Sequence, residues 1–180
     1  MNALKTTANK ITVVRIILVP VFMLLAYINK PYIAFAVYVI ACLSDFLDGY
    51  IARHYNQITV FGKFMDPLAD KMLVLAAMCY FIEAGKIPGW AVAIVIFREF
   101  AVSGLRLIAA QKNIVIAAAR SGKLKTASTM VCLGAMLIFS DYNWVNILST
   151  VIIVATTLYS GIEYFKVNIN VLSDEAGEEK

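Results

Sequence analysis

The chain has 180 residues, of which 61% are hydrophobic and only 16% charged, with a mean hydropathy of +0.78. Soluble domains carry about 25% charged residues, while disorder, collagen and small disulfide scaffolds need few apolar residues, a glycine period or dense cysteine; what remains is an integral membrane protein. The formal net charge of +4 fits loops beside anionic lipid headgroups better than it fits nucleic acid.

A spanning helix takes about 20 residues. Hydropathy and the Pro, Gly and charge breaks predict an all-α membrane protein with six transmembrane helices, at 11–29, 32–53, 67–84, 88–109, 125–140 and 143–165. The first apolar run, Ile11 to Ile28, is too long for a cleaved signal and is read as a retained span. Residues 1–10 form a juxtamembrane segment, 11–165 the six-helix domain, and 166–180 a solvated tail.

The breaks at Asn29–Pro31, Glu83–Pro88 and Asp141–Asn143 are short and hold only Lys30 and Lys86 among the cations. Every other Lys and Arg lies toward the opposite ends of the helices, so the positive-inside rule puts both termini and the longer loops, 54–66 and 110–124, in the cytoplasm of a multi-pass cell-membrane protein. Trp90 and Trp144 then begin helices four and six at the outer interface, as an aromatic belt does. Cys42, Cys79 and Cys132 lack metal or redox spacing and read as small buried hydrophobes.

Against this background Asp45 and Asp48 fall near the cytoplasmic end of helix two, on one face by their i, i+3 spacing. Asp66 and Asp70 follow at i, i+4, with Asp66 as N-cap and Pro67 in the first turn of helix three. Four carboxylates can thus converge on one cytoplasm-facing cavity. Arg53, Lys63 and Lys71 could neutralise them as plain interfacial acids, but four intramembrane aspartates are a costly load for a small protein without a function. Oxygen donors without His or Cys favour a hard ion, Mg²⁺ or alternatively Mn²⁺, and two ions sharing carboxylates suit phosphoryl chemistry. Gly49, Ala52 and Gly62 would let a phosphate ester approach the backbone.

The spacing Asp45-x2-Asp48-Gly49-x2-Ala52-Arg53-x8-Gly62-x3-Asp66-x3-Asp70 resembles the complete signature of the CDP-alcohol phosphatidyltransferases, and six spans with cytoplasmic termini fit that family over nearly the whole chain. The resemblance implies transfer of a phosphatidyl group from CDP-diacylglycerol to an alcohol with release of CMP, by a homodimer that uses divalent metal. It makes Asp45, Asp48 and Asp66 metal ligands, and Asp70 the general base that also touches a metal. Gly49, Ala52, Arg53 and Gly62 become the nucleotide and diphosphate cradle. Asn9-x2-Thr12-x2-Arg15 is similar to the family's short N-terminal donor-binding motif; by themselves Asn9 and Thr12 read equally as helix caps and Arg15 as an interfacial snorkel.

The acceptor is read from a second cationic set. Arg98 and Arg106 lie eight residues apart, on similar faces of helix four, and Lys123 and Lys125 open helix five. Arg98 is deep enough to need a partner, for which Glu99 and the aspartates are candidates. Converging guanidinium and ammonium groups suit an acceptor that carries a phosphate, and the runs Phe97–Arg106 and Gly122–Thr126 resemble the branch that uses glycerol 3-phosphate and makes phosphatidylglycerophosphate. Thr129 departs from relatives that have Gln at that position. Arg120, Lys123 and Lys125 read otherwise as a positive-inside loop, and His54 as solvated. The rivals are another acceptor (inositol phosphate, serine or a phosphatidyl lipid), a divalent-cation transporter, and an inert scaffold.

Overall fold

The computed structural model describes residues 7–54, 60–112, 114, 116 and 119–172, without the side chains of 7–9, 45–54, 60–64, 66, 67, 70, 171 and 172. It is all-helical in these residues: α1 Thr7–Tyr27, α2 Pro31–His54, α3 Val60–Glu83, α4 Gly89–Gln111, α5 Arg120–Ile138 and α6 Asn143–Asn168, then a 3-10 turn at Ile169–Leu172. The six expected helices are present, but three begin four or more residues before hydropathy suggests, helix one at Thr7 and not at 11. Helix three starts at Val60 and not at 67, and helix five at Arg120 and not at 125. Asp66 is therefore no N-cap and Pro67 lies inside the helix. Polar residues such as Lys63, Asp66 and Lys123 lower the hydropathy of a turn without breaking its backbone, and Pro is tolerated where neighbouring groups satisfy the freed carbonyl.

Two of the short breaks end their helices in the same way. Asn29 (φ 55°) and Gly85 (φ 68°) take the left-handed conformation, and the amides of Lys30 and Lys86 reach back to the carbonyls of Leu25 (3.1 Å) and Phe81 (2.8 Å). This is the Schellman closure, which needs a residue tolerant of positive φ. At the same end of the molecule the Tyr27 hydroxyl donates to Glu83, joining α1 to α3.

The main core is apolar and draws on all six helices: Phe22, Tyr38, Leu73, Met78, Phe81, Leu133 and Met136 are buried in it with Val92 and Val95 of α4 and Ile153 of α6, and alanines at 26, 34, 41 and 77 let the backbones approach. α4 packs along α6 and not along its chain neighbour α3, which leans chiefly on α1. Lys10–Tyr27 and Asn143–Asn168 are long and apolar enough to cross a membrane. Large apolar side chains stand exposed on α1 (Ile17, Leu24), α4 (Trp90, Phe97, Phe100) and α6 (Trp144, Ile147, Val151). Among the cysteines Cys132 is buried and Cys42 half-buried as expected, but Cys79 is exposed, on the outward face of α3.

Candidate active site

The structure carries every signature residue on helical backbone: Asp45, Asp48, Gly49, Ala52 and Arg53 in the second half of α2, and Gly62, Asp66 and Asp70 in the first half of α3. The spacings i, i+3 and i, i+4 then put each aspartate pair on one face of its own helix, and the two helices pack against one another. The side chains of these eight residues, and of Asn9 and His54, lie outside the described ones. Among the described residues no group of three His, Cys, Asp or Glu gathers to hold a metal. The oxygen-only chemistry of the donor set and its helical register fit a hard divalent cation.

The described part of the donor side is informative. Thr12 and Arg15 are each only 1% exposed. Arg15 therefore does not snorkel to the interface; its Nε donates to Ser44 Oγ at 3.2 Å, and Ser44 donates to the carbonyl of Ala41 at 2.7 Å. This bond ties α1 to α2 one residue before Asp45. Capping does not explain Asn9 or Thr12 either, because α1 begins at Thr7 and both lie inside it.

The four cations expected to bind the acceptor phosphate do not gather as one set. Arg98 and Lys125 meet on Glu99: Arg98 Nη1 donates to Glu99 Oε1 at 3.1 Å, and Lys125 Nζ binds the same oxygen. Lys71 of α3 joins them, donating to Ser103 Oγ at 2.7 Å with its Nζ 3.8 Å from Glu99 Oε2. Arg98 Nη2 also donates to Ser160 Oγ of α6 at 2.6 Å. A Cβ at position 161 would stand 3.2 Å from Arg98 Cγ, so Gly161 lets the arginine lie close against α6. Arg106 belongs elsewhere: it is exposed, its Nε donates to the Tyr164 hydroxyl at 2.9 Å, and its guanidinium sits 5.5 Å from that ring. Eight residues displace it from Arg98 by about 12 Å along the axis and about 80° around it. Lys123 is exposed, whereas Lys125 is buried.

The family profile of the CDP-alcohol phosphatidyltransferases matches residues 5–159. The chain belongs to this family. Several relatives align with this CDP-alcohol phosphatidyltransferase almost end to end. The protein named CDP-diacylglycerol--glycerol-3-phosphate 3-phosphatidyltransferase from Bacillus subtilis (strain 168) is 39% identical over 91% of this chain and 95% of its own length. Its namesakes from Rickettsia typhi and Haemophilus influenzae are each 35% identical over 91% of this chain, covering 97% and 94% of their own lengths.

Lys71, Ser103 and Ser160 were not singled out as acceptor-side residues by sequence spacing. Lys71 follows Asp70 directly and reads as a neutraliser of the aspartates, yet its described contacts are on α4. Ser103 lies in the same run as Arg98 and Arg106, which was the available signal; Ser160, on the last helix, had none.

Proposed function

We propose that this CDP-alcohol phosphatidyltransferase moves the phosphatidyl group from CDP-diacylglycerol to sn-glycerol 3-phosphate, giving phosphatidylglycerophosphate and CMP. The observation that carries the reading is the reach of the match: relatives named for this reaction align over about nine-tenths of both chains. The meeting of Arg98, Lys125 and Lys71 supports an acceptor that bears a phosphate.

In this reading Asn9, Thr12 and Arg15 with Gly49, Ala52, Arg53 and Gly62 hold the CDP-diacylglycerol head. Asp45, Asp48, Asp66 and Asp70 are the residues that would hold divalent cations, Mg²⁺ or Mn²⁺, two ions in the full site. Bound there, such ions neutralise phosphate oxygens and stabilise charge on the leaving group. Asp70 takes the proton of the acceptor's primary hydroxyl. That oxygen bonds to the phosphorus bearing diacylglycerol, the bond from this phosphorus to the bridging oxygen breaks, and CMP departs with the electron pair, its charge met by Arg53. Arg98 and Lys125 grip the acceptor phosphate, with Arg106 and Lys123 at the rim.

The enzyme in this reading is a homodimer that spans the cell membrane six times with both termini cytoplasmic, so that the lipid donor enters laterally and the acceptor from the cytosol. The two apolar spans and the exposed apolar residues of α1, α4 and α6 support a hydrocarbon surrounding. The test is acceptor-dependent CMP release by the purified protein with CDP-diacylglycerol and Mg²⁺. Release is expected with glycerol 3-phosphate and not with inositol phosphate, serine or phosphatidylglycerol, and Asp70→Asn lowers it about a hundredfold or more. Release with another acceptor alone overturns the substrate; no acceptor-dependent CMP from folded protein overturns the activity.

A further inference from the structure

Glu99 has more positive neighbours than neutrality needs. Lys71, Arg98 and Lys125 come to its carboxylate from three different helices. Three cations and one anion leave an excess of two positive charges. The cluster also keeps unused hydrogen-bonding capacity, because the buried Arg98 Nε has no partner among the described residues. Side-chain exposure rises from Lys125 (6%) through Arg98 (12%) and Glu99 (19%) to Lys71 (35%). The cluster is therefore sealed at α5 and open at Lys71, the residue that follows Asp70.

We propose that Glu99 is the positioning residue of the acceptor site: it gathers Lys71, Arg98 and Lys125 into one phosphate-binding cup and trims their charge to that of a phosphate monoester. The proposal rests on the acceptor reading above. A phosphate monoester carries about −1.5 to −2 charges at pH 7, which the excess of two matches. Without the carboxylate, three like charges within a few ångströms of one another repel, and the two flexible lysines turn away. Binding of phosphate then weakens although the nominal charge has risen. Arg15 and Ser44 join α1 to α2, helices other than those that bear Glu99 and its three cations, so the change is aimed at the acceptor and not at the donor.

The experiment compares the full-length wild type, Glu99→Gln and Glu99→Asp in detergent, with KM for each substrate, kcat, inhibition by inorganic phosphate and thermal stability as readouts. Glu99→Gln is expected to raise KM for glycerol 3-phosphate about tenfold and the inhibition constant of phosphate in proportion, with KM for CDP-diacylglycerol within twofold of wild type. Glu99→Asp, whose shorter carboxylate keeps the charge but not the reach to all three cations, is expected to leave KM for glycerol 3-phosphate about threefold above wild type. An unchanged KM for glycerol 3-phosphate in Glu99→Gln overturns the proposal, as does a parallel loss in both KM values and in thermal stability, which marks a merely structural role. Should Glu99→Gln fail to fold, Glu99→Asp decides, and a wild-type KM there overturns it. A wild type that ignores glycerol 3-phosphate sinks the acceptor reading itself, and this proposal with it.

Discussion

The apolar core, to which all six helices contribute, and the polar junction of α3, α4, α5 and α6 are built on different terms. In the first, Phe22, Leu73, Phe81 and Met136 are held by shape alone. In the second, Arg98 is held by named partners, Glu99 and Ser160, and by the absence of a side chain at Gly161. Shape tolerates exchange of one apolar residue for another of like volume, whereas a part-buried charge tolerates no loss of partner. Substitutions in the core should register in stability, and those in the junction that keep the charge and its partners should register chiefly in substrate binding.

The most forceful challenge to that division is Phe81→Ala. It removes a ring that is 1% exposed and should cost about 3–5 kcal/mol of stability, read by unfolding in mixed detergent micelles, while surviving enzyme keeps its wild-type KM values. A shifted KM for glycerol 3-phosphate would erase the distinction. Arg98→Lys tests the other side. It keeps the charge but not the fork that reaches Glu99 and Ser160 together, and should lower kcat/KM for glycerol 3-phosphate by ten- to a hundredfold, about 1.4–2.8 kcal/mol, with little change in melting temperature. Tyr164→Phe is the mildest. It deletes the hydroxyl that accepts from Arg106 and leaves the ring beneath the guanidinium, so the effect on KM should be within about threefold to tenfold, the scale of one hydrogen bond.

The sequence revealed the helix number, the tight breaks and the aspartate spacing because each is a local pattern in the chain. Its reading of helix starts failed where polar side chains sat on continuous helix, before Ile11, before Asp66 and before Lys125. Arg15 was legible as a cation near an interface but not as one buried against Ser44, since that depends on how closely α1 and α2 approach. The same holds for the acceptor side. Spacing alone grouped Arg98 with Arg106, while Glu99, reached from three helices, groups Arg98 with Lys71 and Lys125. Long side chains choose their partners in three dimensions, and sequence distance does not record the choice.

That α4 lies along α6 while α3 leans on α1 has a consequence for how such an enzyme can change over generations. The helix that bears Asp66 and Asp70 and the helix that bears Arg98 take their tilt from different neighbours, although only Ala84–Pro88 separates them in the chain. Changes along the contact of α4 with α6 therefore bear first on Arg98 and Ser160, and Lys71, which reaches Glu99 and Ser103 from α3, is where they meet the helix of Asp66 and Asp70.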